Sequence, residues 1–293
     1  MKKKLRVALG ILLVAALGVA VWQVGPREPC YKGKSLSYWI GHTRGNDSPK
    51  EHHAALAAMG DKAVPFLVAR LRSRPSPAVQ LLSAWFPKFP LLASYTDRRR
   101  MPRQGAVYAL GVLGPTAREA IPALEALDPD SEAISPWFGA SVRAALASIK
   151  QEPLPPYIAK LKDTSDPGWY ESGFVMCYHG TNAVAAIPNL IAALEVTTNA
   201  DNFMIRSFAC HALSSIHSRP EVCVPALVPM LRSPDAAERQ VGLLAVAVFG
   251  SGAGPAWAEL TNCLSDPYPL SREIAAKLLK EIDAEAASKA GVK

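Results

Sequence analysis

Along most of the chain, apolar residues recur three and four positions apart, and these groups come in pairs broken by Gly or Pro. The stretch from Leu113 to Leu127 shows the unit. Gly114 and Pro115 end the helix before them, since Gly accepts a positive φ and Pro cannot continue a helix. Pro122 then sits early in a second helix, where its missing N–H costs little. Ile121, Leu124 and Leu127 fall about one turn apart, on one face.

The same arrangement recurs at Val64-Pro65-Phe66-Leu67, Pro155-Pro156-Tyr157-Ile158, Ile187-Pro188-Asn189-Leu190 and Val224-Pro225-Ala226-Leu227, with a degenerate copy at Trp257-Ala258-Glu259-Leu260. With Pro as register, the copies sit at 65, 122, 156, 188, 225 and 258, in steps of 57, 34, 32, 37 and 33. Five of the six carry Pro there, and all six carry Leu or Ile two residues later. Recurrence at such a period marks a solenoid of helix pairs. Leu67, Leu124, Ile158, Leu190, Leu227 and Leu260 are therefore expected to form one continuous buried row.

Ahead of most copies runs a first helix with a small and apolar stripe, as in Ala106 to Leu113, Val142 to Ile149, Ile205 to Leu213 and Val241 to Val246. Read together, Val-Arg-x-Ala-Ala-x-x-Leu, then Gly, then Ala-Ile-Pro-x-Leu resembles the HEAT-repeat family over roughly residues 48 to 285. The resemblance implies an all-α fold: a right-handed α-solenoid of about six HEAT-like helix pairs. It also implies a ladder linking neighbouring repeats, here built on Arg103, Arg206, Arg239 and Arg272, each four to six residues after Asp97, Asp201, Asp235 or Asp266. It says almost nothing about chemistry.

The ends of the chain differ from this pattern. Residues 1 to 6 are basic, and residues 7 to 22 contain no polar side chain. As a helix, residues 7 to 24 span roughly 27 Å, about one hydrocarbon thickness. Two readings stand: a signal peptide cut near Gly18-Val19-Ala20, or an uncleaved anchor with Trp22 at the interface. Both place the solenoid on the extracytoplasmic side with the lysines in the cytoplasm. No lipobox leads into Cys30.

Residues 1–24 thus form an anchor or signal segment, 25–47 a linker and N-terminal cap, and 48–287 the solenoid. Residues 25 to 34 read as a polar linker. In the cap, Ser35 is the expected N-cap, and Leu36, Trp39 and Ile40 share a face. Its run Tyr31-Lys32-Gly33-Lys34-Ser35-Leu36-Ser37-Tyr38-Trp39 resembles the opening of exported bacterial HEAT-repeat proteins. Ser271 to Ala287 reads as one C-terminal capping helix with Ile274, Leu278, Leu279 and Ile282 on its apolar side.

Charge changes the picture little. The formal net charge is +7, but Lys2, Lys3, Lys4 and Arg6 supply +4 of it, so the folded part does not argue for nucleic acid. The exception is local. The step of 57 marks an insertion at about 75–100 that holds Trp85, Phe86, Phe89 and the run Arg98-Arg99-Arg100, with Arg70, Arg72 and Arg74 beside it and only Asp97 acidic. Insertions in solenoids map to loops on one face, often the binding face. Arg70, Arg72, Arg74, Trp85, Phe86, Arg98, Arg99 and Arg100 are the candidate binding residues.

Catalytic signals are weak. There is no Cys-x-x-Cys, P-loop, Gly-x-Ser-x-Gly or Gly-x-Gly-x-x-Gly. Gly250-Ser251-Gly252-Ala253-Gly254 lacks a Lys and reads as a turn within a repeat. His52-His53, and His179 near Cys177, are metal-like juxtapositions. Metal-binding HEAT enzymes carry His-Glu dipeptides on successive helices, whereas this chain has Glu51-His52, once and reversed. Cys223 and Cys263 occupy apolar register positions and read as small core residues. No cofactor and no metal are expected.

The expectation is a non-catalytic scaffold at a bacterial cell envelope. It would hold an unidentified protein or peptide on a concave surface of second helices and on the basic-aromatic insertion. The alternatives are a HEAT-like enzyme such as a lyase, or a binder of anionic surfaces or nucleic acid. Export opposes a nucleic-acid role.

Overall fold

The computed structural model describes residues 28–41, 49–72, 103–130, 135–195, 200–289 and 291–292. The apolar segment 7–24 and the insertion 75–100 lie outside the described residues. Among the described residues no helix is long and apolar enough to cross a membrane. The fold is all-α apart from one small hairpin at the N-terminal end.

That hairpin corrects the expected polar linker. β1 (Cys30–Tyr31) pairs antiparallel with β2 (Lys34–Ser35), in the register Cys30 opposite Ser35. Lys32 and Gly33, both at positive φ, make the two-residue turn that such a pair requires. α1 (Leu36–Gly41) follows, and the Ser35 hydroxyl accepts from the Tyr38 N–H as an N-cap. Leu36, Trp39 and Ile40 are buried together, as their spacing predicts.

Six helix pairs follow. They are α2 (Pro49–Met59) with α3 (Val64–Arg72), then α4 (103–113) with α5 (Ile121–Glu125), then α6 (Pro136–Lys150) with α7 (Leu154–Lys160). Next come α8 (Trp169–His179) with α9 (Ile187–Leu194), α10 (Ala200–Ile216) with α11 (Pro220–Leu231), and α12 (Ala236–Ala247) with α13 (Trp257–Cys263). Four pairs reverse direction in the same way: Gly60, Gly114, Gly180 and Gly250 sit at φ between +52° and +54° and open a 3-10 turn. An L side chain is strained there, which is why Gly recurs at this point. Pairs three and five have no such turn and reverse through Gln151, and through His217 and Arg219, all at positive φ.

The expected row holds at five of six positions. Leu67, Leu124, Leu190, Leu227 and Leu260 are all fully buried. The third position is Tyr157 and not Ile158, which is half-buried. The helix begins at Leu154 with Pro155 in its second position, so Leu154-Pro155-Pro156-Tyr157 is the true copy. Two adjacent prolines made both registers look alike in sequence. In the fifth pair the helix starts a turn early, at Pro220, and carries Pro225 and Pro229 inside it.

First helices stack in chain order: α6 on α8, α8 on α10, α10 on α12, α12 on α14 (Pro269–Ile282). Arginines tie this stack together. Arg143 Nε donates to Glu171 of the next first helix at 2.7 Å, and Arg239 Nε to Asp266 ahead of α14 at 2.8 Å. Arg206 pairs with Glu238 of α12, both buried, and the Ser233 hydroxyl donates to the other Glu238 oxygen. Arg239 and Arg272 also donate to carbonyls of the loop before their own helix. The rungs therefore run forward to the next pair. Asp235, at the start of the same helix as Arg239, caps α12 by accepting from the Ala237 and Glu238 N–H groups.

The C-terminal cap is two helices, not one. α14 stops at Asp283, which turns extended and caps α15 (Ala284–Lys289) through its carboxylate. All five cysteines are free thiols; Cys223 and Cys263 are buried in the core, as small hydrophobes are.

Candidate functional site

Of the eight residues expected to bind, Arg74, Trp85, Phe86, Arg98, Arg99 and Arg100 lie outside the described residues. Arg72 is exposed at the end of α3. Arg70 is half-buried and donates to the Ser37 hydroxyl of the cap, which in turn reaches the Glu28 carboxylate. Its observed part is to fasten the cap to the first pair.

What the chain assembles instead lies on the first helices. Second helices pack on the next in line, as α3 on α5, α9 on α11 and α11 on α13. First helices also meet across several pairs. α2 packs on α10, and Tyr108 of α4 meets Tyr178 of α8 and His211 of α10. The side on which these non-adjacent first helices meet is called here the inner face.

That face carries a continuous file of rings. Trp137 lies edge-on to Tyr170, Phe174 and Phe208, with centroids 5.0, 5.1 and 4.8 Å away. Phe208 leads to His211 at 6.3 Å, His211 to Tyr108 at 6.3 Å, and Tyr108 to His53 at 6.2 Å. Edge-on pairs in this range are favourable beyond their burial. Two glycines let the helices come close enough. A Cβ on Gly173 would lie 2.3 Å from the Phe208 ring, and one on Gly111 2.6 Å from the Tyr178 ring. Trp137, Tyr170, Tyr108, His211 and His53 stay half-buried, so the file keeps ring surface open to a ligand.

The polar groups here are held neutral. The His53 ring and the Tyr108 hydroxyl lie 3.1 Å apart. Burial, then the neighbouring His211 and His52, push the His53 pKa down to about 4. Burial pushes Tyr108 and Tyr178 well above the ordinary phenol value, and the Cys177 thiol beside Tyr108 up to about 12. A thiol that stays protonated is a poor nucleophile, and an imidazole this weakly basic is a poor general base at neutral pH. The cluster offers hydrogen bonds and ring faces. Among the described residues no three His, Cys, Asp or Glu side chains are placed to hold a metal. His52 packs edge-on against Trp39, away from the pairing with His53 that its sequence suggested.

A second concavity, a cleft of about 290 Å³ between α11, α13 and the start of α14, contains Arg232, Arg239, Glu259 and Asp266. Its charges are paired, Arg232 with Glu259 at 2.6 Å and Arg239 with Asp266 at 2.8 Å. Sequence reasoning missed the inner face. The legible sign was a Tyr at 108 within an otherwise small, apolar stripe; the partners Tyr178 and His211 come from helices far along the chain. A comparison with family models gives no match for this chain, and a comparison with curated proteins gives none.

Proposed function

We propose that this protein is a HEAT-like α-solenoid, tethered by its N-terminal apolar segment, that works as a non-catalytic binding scaffold on the extracytoplasmic side of a bacterial membrane. The repeated Pro-x-Leu register, the forward arginine rungs and the in-order stacking of first helices support the solenoid. The file of half-buried rings from Trp137 to His53 carries the binding reading. Rings of this kind give large contact area at low entropic cost and dominate interface energetics. The partner is a protein or peptide segment whose apolar side chains lie along the inner face. The insertion 75–100, with its arginines, supplies a second, charged contact.

The test is cross-linking in membrane extract with three chains: the native protein, the Trp137→Ala/Tyr170→Ala variant, and one lacking residues 75–100. The reading expects a defined adduct that the double variant loses at unchanged melting temperature. An adduct indifferent to both changes overturns it. Fractionation checks the tether: the intact chain belongs in membranes, and its recovery from the cytosol contradicts the placement.

A further inference from the structure

The contact between the first pair and the fifth joins helices far apart along the chain. It packs α2 on α10 across three intervening pairs, and beside it the His53 imidazole of α2 lies 3.1 Å from the hydroxyl of Tyr108, whose ring meets His211 of α10. His53 projects from α2 onto Tyr108 of α4, lies next to His211 of α10, and rests against Gly180 at the end of α8, where a Cβ would meet its Nδ1 at 3.3 Å. The ring thus lies against α4 and the end of α8, and feels the field of His211 on α10.

We propose that this contact is a proton-operated latch: it holds while the His53 ring is neutral and releases when that ring takes a proton, freeing the cap and first pair from the later helices. The proton goes to the ring nitrogen that lacks one, giving an imidazolium with two N–H groups and a full charge.

Among the described residues, the groups around that charge are basic or neutral. From α10 comes His211 and from α2 itself comes His52, both of which lower the His53 pKa. From α4 comes Tyr108, with Cys177 and Tyr178 of α8 behind it, all three held protonated and uncharged. From the hairpin and α1 come Tyr31 and Trp39, which pack on the His52 side. The charged residues nearest in sequence, Glu51 on α2 and Asp61 and Lys62 in the turn after it, are exposed. No carboxylate counts among the influences on His53.

The sign follows. A histidine with a lowered pKa in the closed state contributes its full share above the ordinary value of 6.5, and that share is lost as pH falls toward about 4. Across that window the closed-to-open ratio falls by up to about 300-fold. The latch itself does not depend on the scaffold reading; its use does, because opening would uncover Tyr108, Tyr178 and His211 at one end of the ring file.

The experiment uses the full chain without any partner. Spin labels go on exposed positions of the two helices, at Ala57→Cys and Met204→Cys, with Cys30→Ser to remove the exposed native thiol. At pH 7.5 a single short distance is expected. At pH 4 it lengthens, with helix content by circular dichroism retained. His53→Gln, which hydrogen-bonds without titrating, keeps the short distance at both pH values. His211→Gln removes one opposing charge and moves the opening to lower pH. A native distance that does not change with pH overturns the latch. So does His53→Gln opening along with the native chain, or both unfolding alike. An acid-opened latch in a protein whose Trp137 face binds nothing would leave this inference standing and remove the scaffold reading.

Discussion

Two regions join helix pairs by opposite chemistry. Near the starts of the first helices, arginines reach carboxylates: Arg143 to Glu171, Arg206 to Glu238, Arg239 to Asp266. On α2, α4, α8 and α10, a second set of contacts is made by rings and neutral polar groups: His53, Tyr108, Tyr178 and His211. The charged rungs each link one pair to the next, with separations of 28, 32 and 27 residues, so they repeat with the fold. The neutral junction occurs once and gathers four pairs. A rung fixes the spacing of a stack, while a junction fixes its curvature. Only the second is tied to where this particular chain bends.

The largest effect expected on the charged side is at Arg206. Removing it as Arg206→Ala leaves Glu238 buried with only Ser233 to satisfy it, and should cost about 3–5 kcal/mol in denaturant unfolding. Replacing Arg206 and Glu238 together by Met and Leu should recover most of that loss, because an apolar pair needs no compensation. A double variant as unstable as the single one would show that the rung carries more than charge compensation. Truncating the register position, as in Leu190→Ala, should cost about 2–5 kcal/mol. Ile158→Ala should cost clearly less, since the register there belongs to Tyr157.

On the neutral side the matching test is acid. The lowered pKa of His53, about 4, makes folding stability fall between pH 6.5 and 4 by up to about 3 kcal/mol, with His53→Gln flattening that part of the profile. The charged rungs respond in the same direction at lower pH. Asp266, whose bonds from Tyr268 and Arg239 outweigh its burial and hold it below the usual carboxylate value, keeps its contribution until the pH falls through that lowered pKa. Two separate falls in stability, the upper one removed by His53→Gln, would confirm that the regions are independent. A single fall in both chains would merge them.

The two regions also differ in how far they could be read from sequence. The Pro-x-Leu copies and the glycines at 114 and 250 placed most of the second helices, because burial of one face and a positive φ are demands on single residues. The rungs were half legible. The arginines recur in step, but of the carboxylates before them Asp235 caps its own helix and Asp266 serves the pair behind. The hairpin at Lys32-Gly33 carried a turn signal that the polar character of the linker hid. The junction was illegible for a different reason. His53 and Tyr108 are 55 residues apart, and the junction's members come from four different helices that tertiary packing brings together. No local pattern encodes that packing.

Below these effects lies the close packing that the curve needs. Gly173→Ala puts a methyl 2.3 Å from the Phe208 ring, so α8 and α10 must part or the ring must turn, at about 1–3 kcal/mol. Pairing it with Phe208→Leu should recover part of the loss, and the coupling is readable because the two residues touch. Trp137 and Trp169 lie 4.8 and 6.0 Å from Phe208, so their fluorescence should shift with the single variant.

The smallest effect tests whether a charged pair matters merely by being present. Arg219 and Glu221 lie 2.7 Å apart, but their side chains are 57% and 63% exposed. Water already solvates both, salt screens them, and holding two long side chains in one geometry costs entropy. Glu221→Gln should therefore change the melting temperature by little more than the error of the measurement, and the difference should vanish in high salt. Arg143→Ala, whose partner Glu171 is only 15% exposed and whose guanidinium also reaches Asp130, should fall between this pair and Arg206. If the three variants rank in that order, burial and not the count of ion pairs sets the strength of the rungs. If Glu221→Gln costs as much as Arg143→Ala, the loop that Arg219 holds at positive φ depends on its pair. The missing 3-10 turn of the fifth pair would then be replaced by a charge and not by backbone geometry alone.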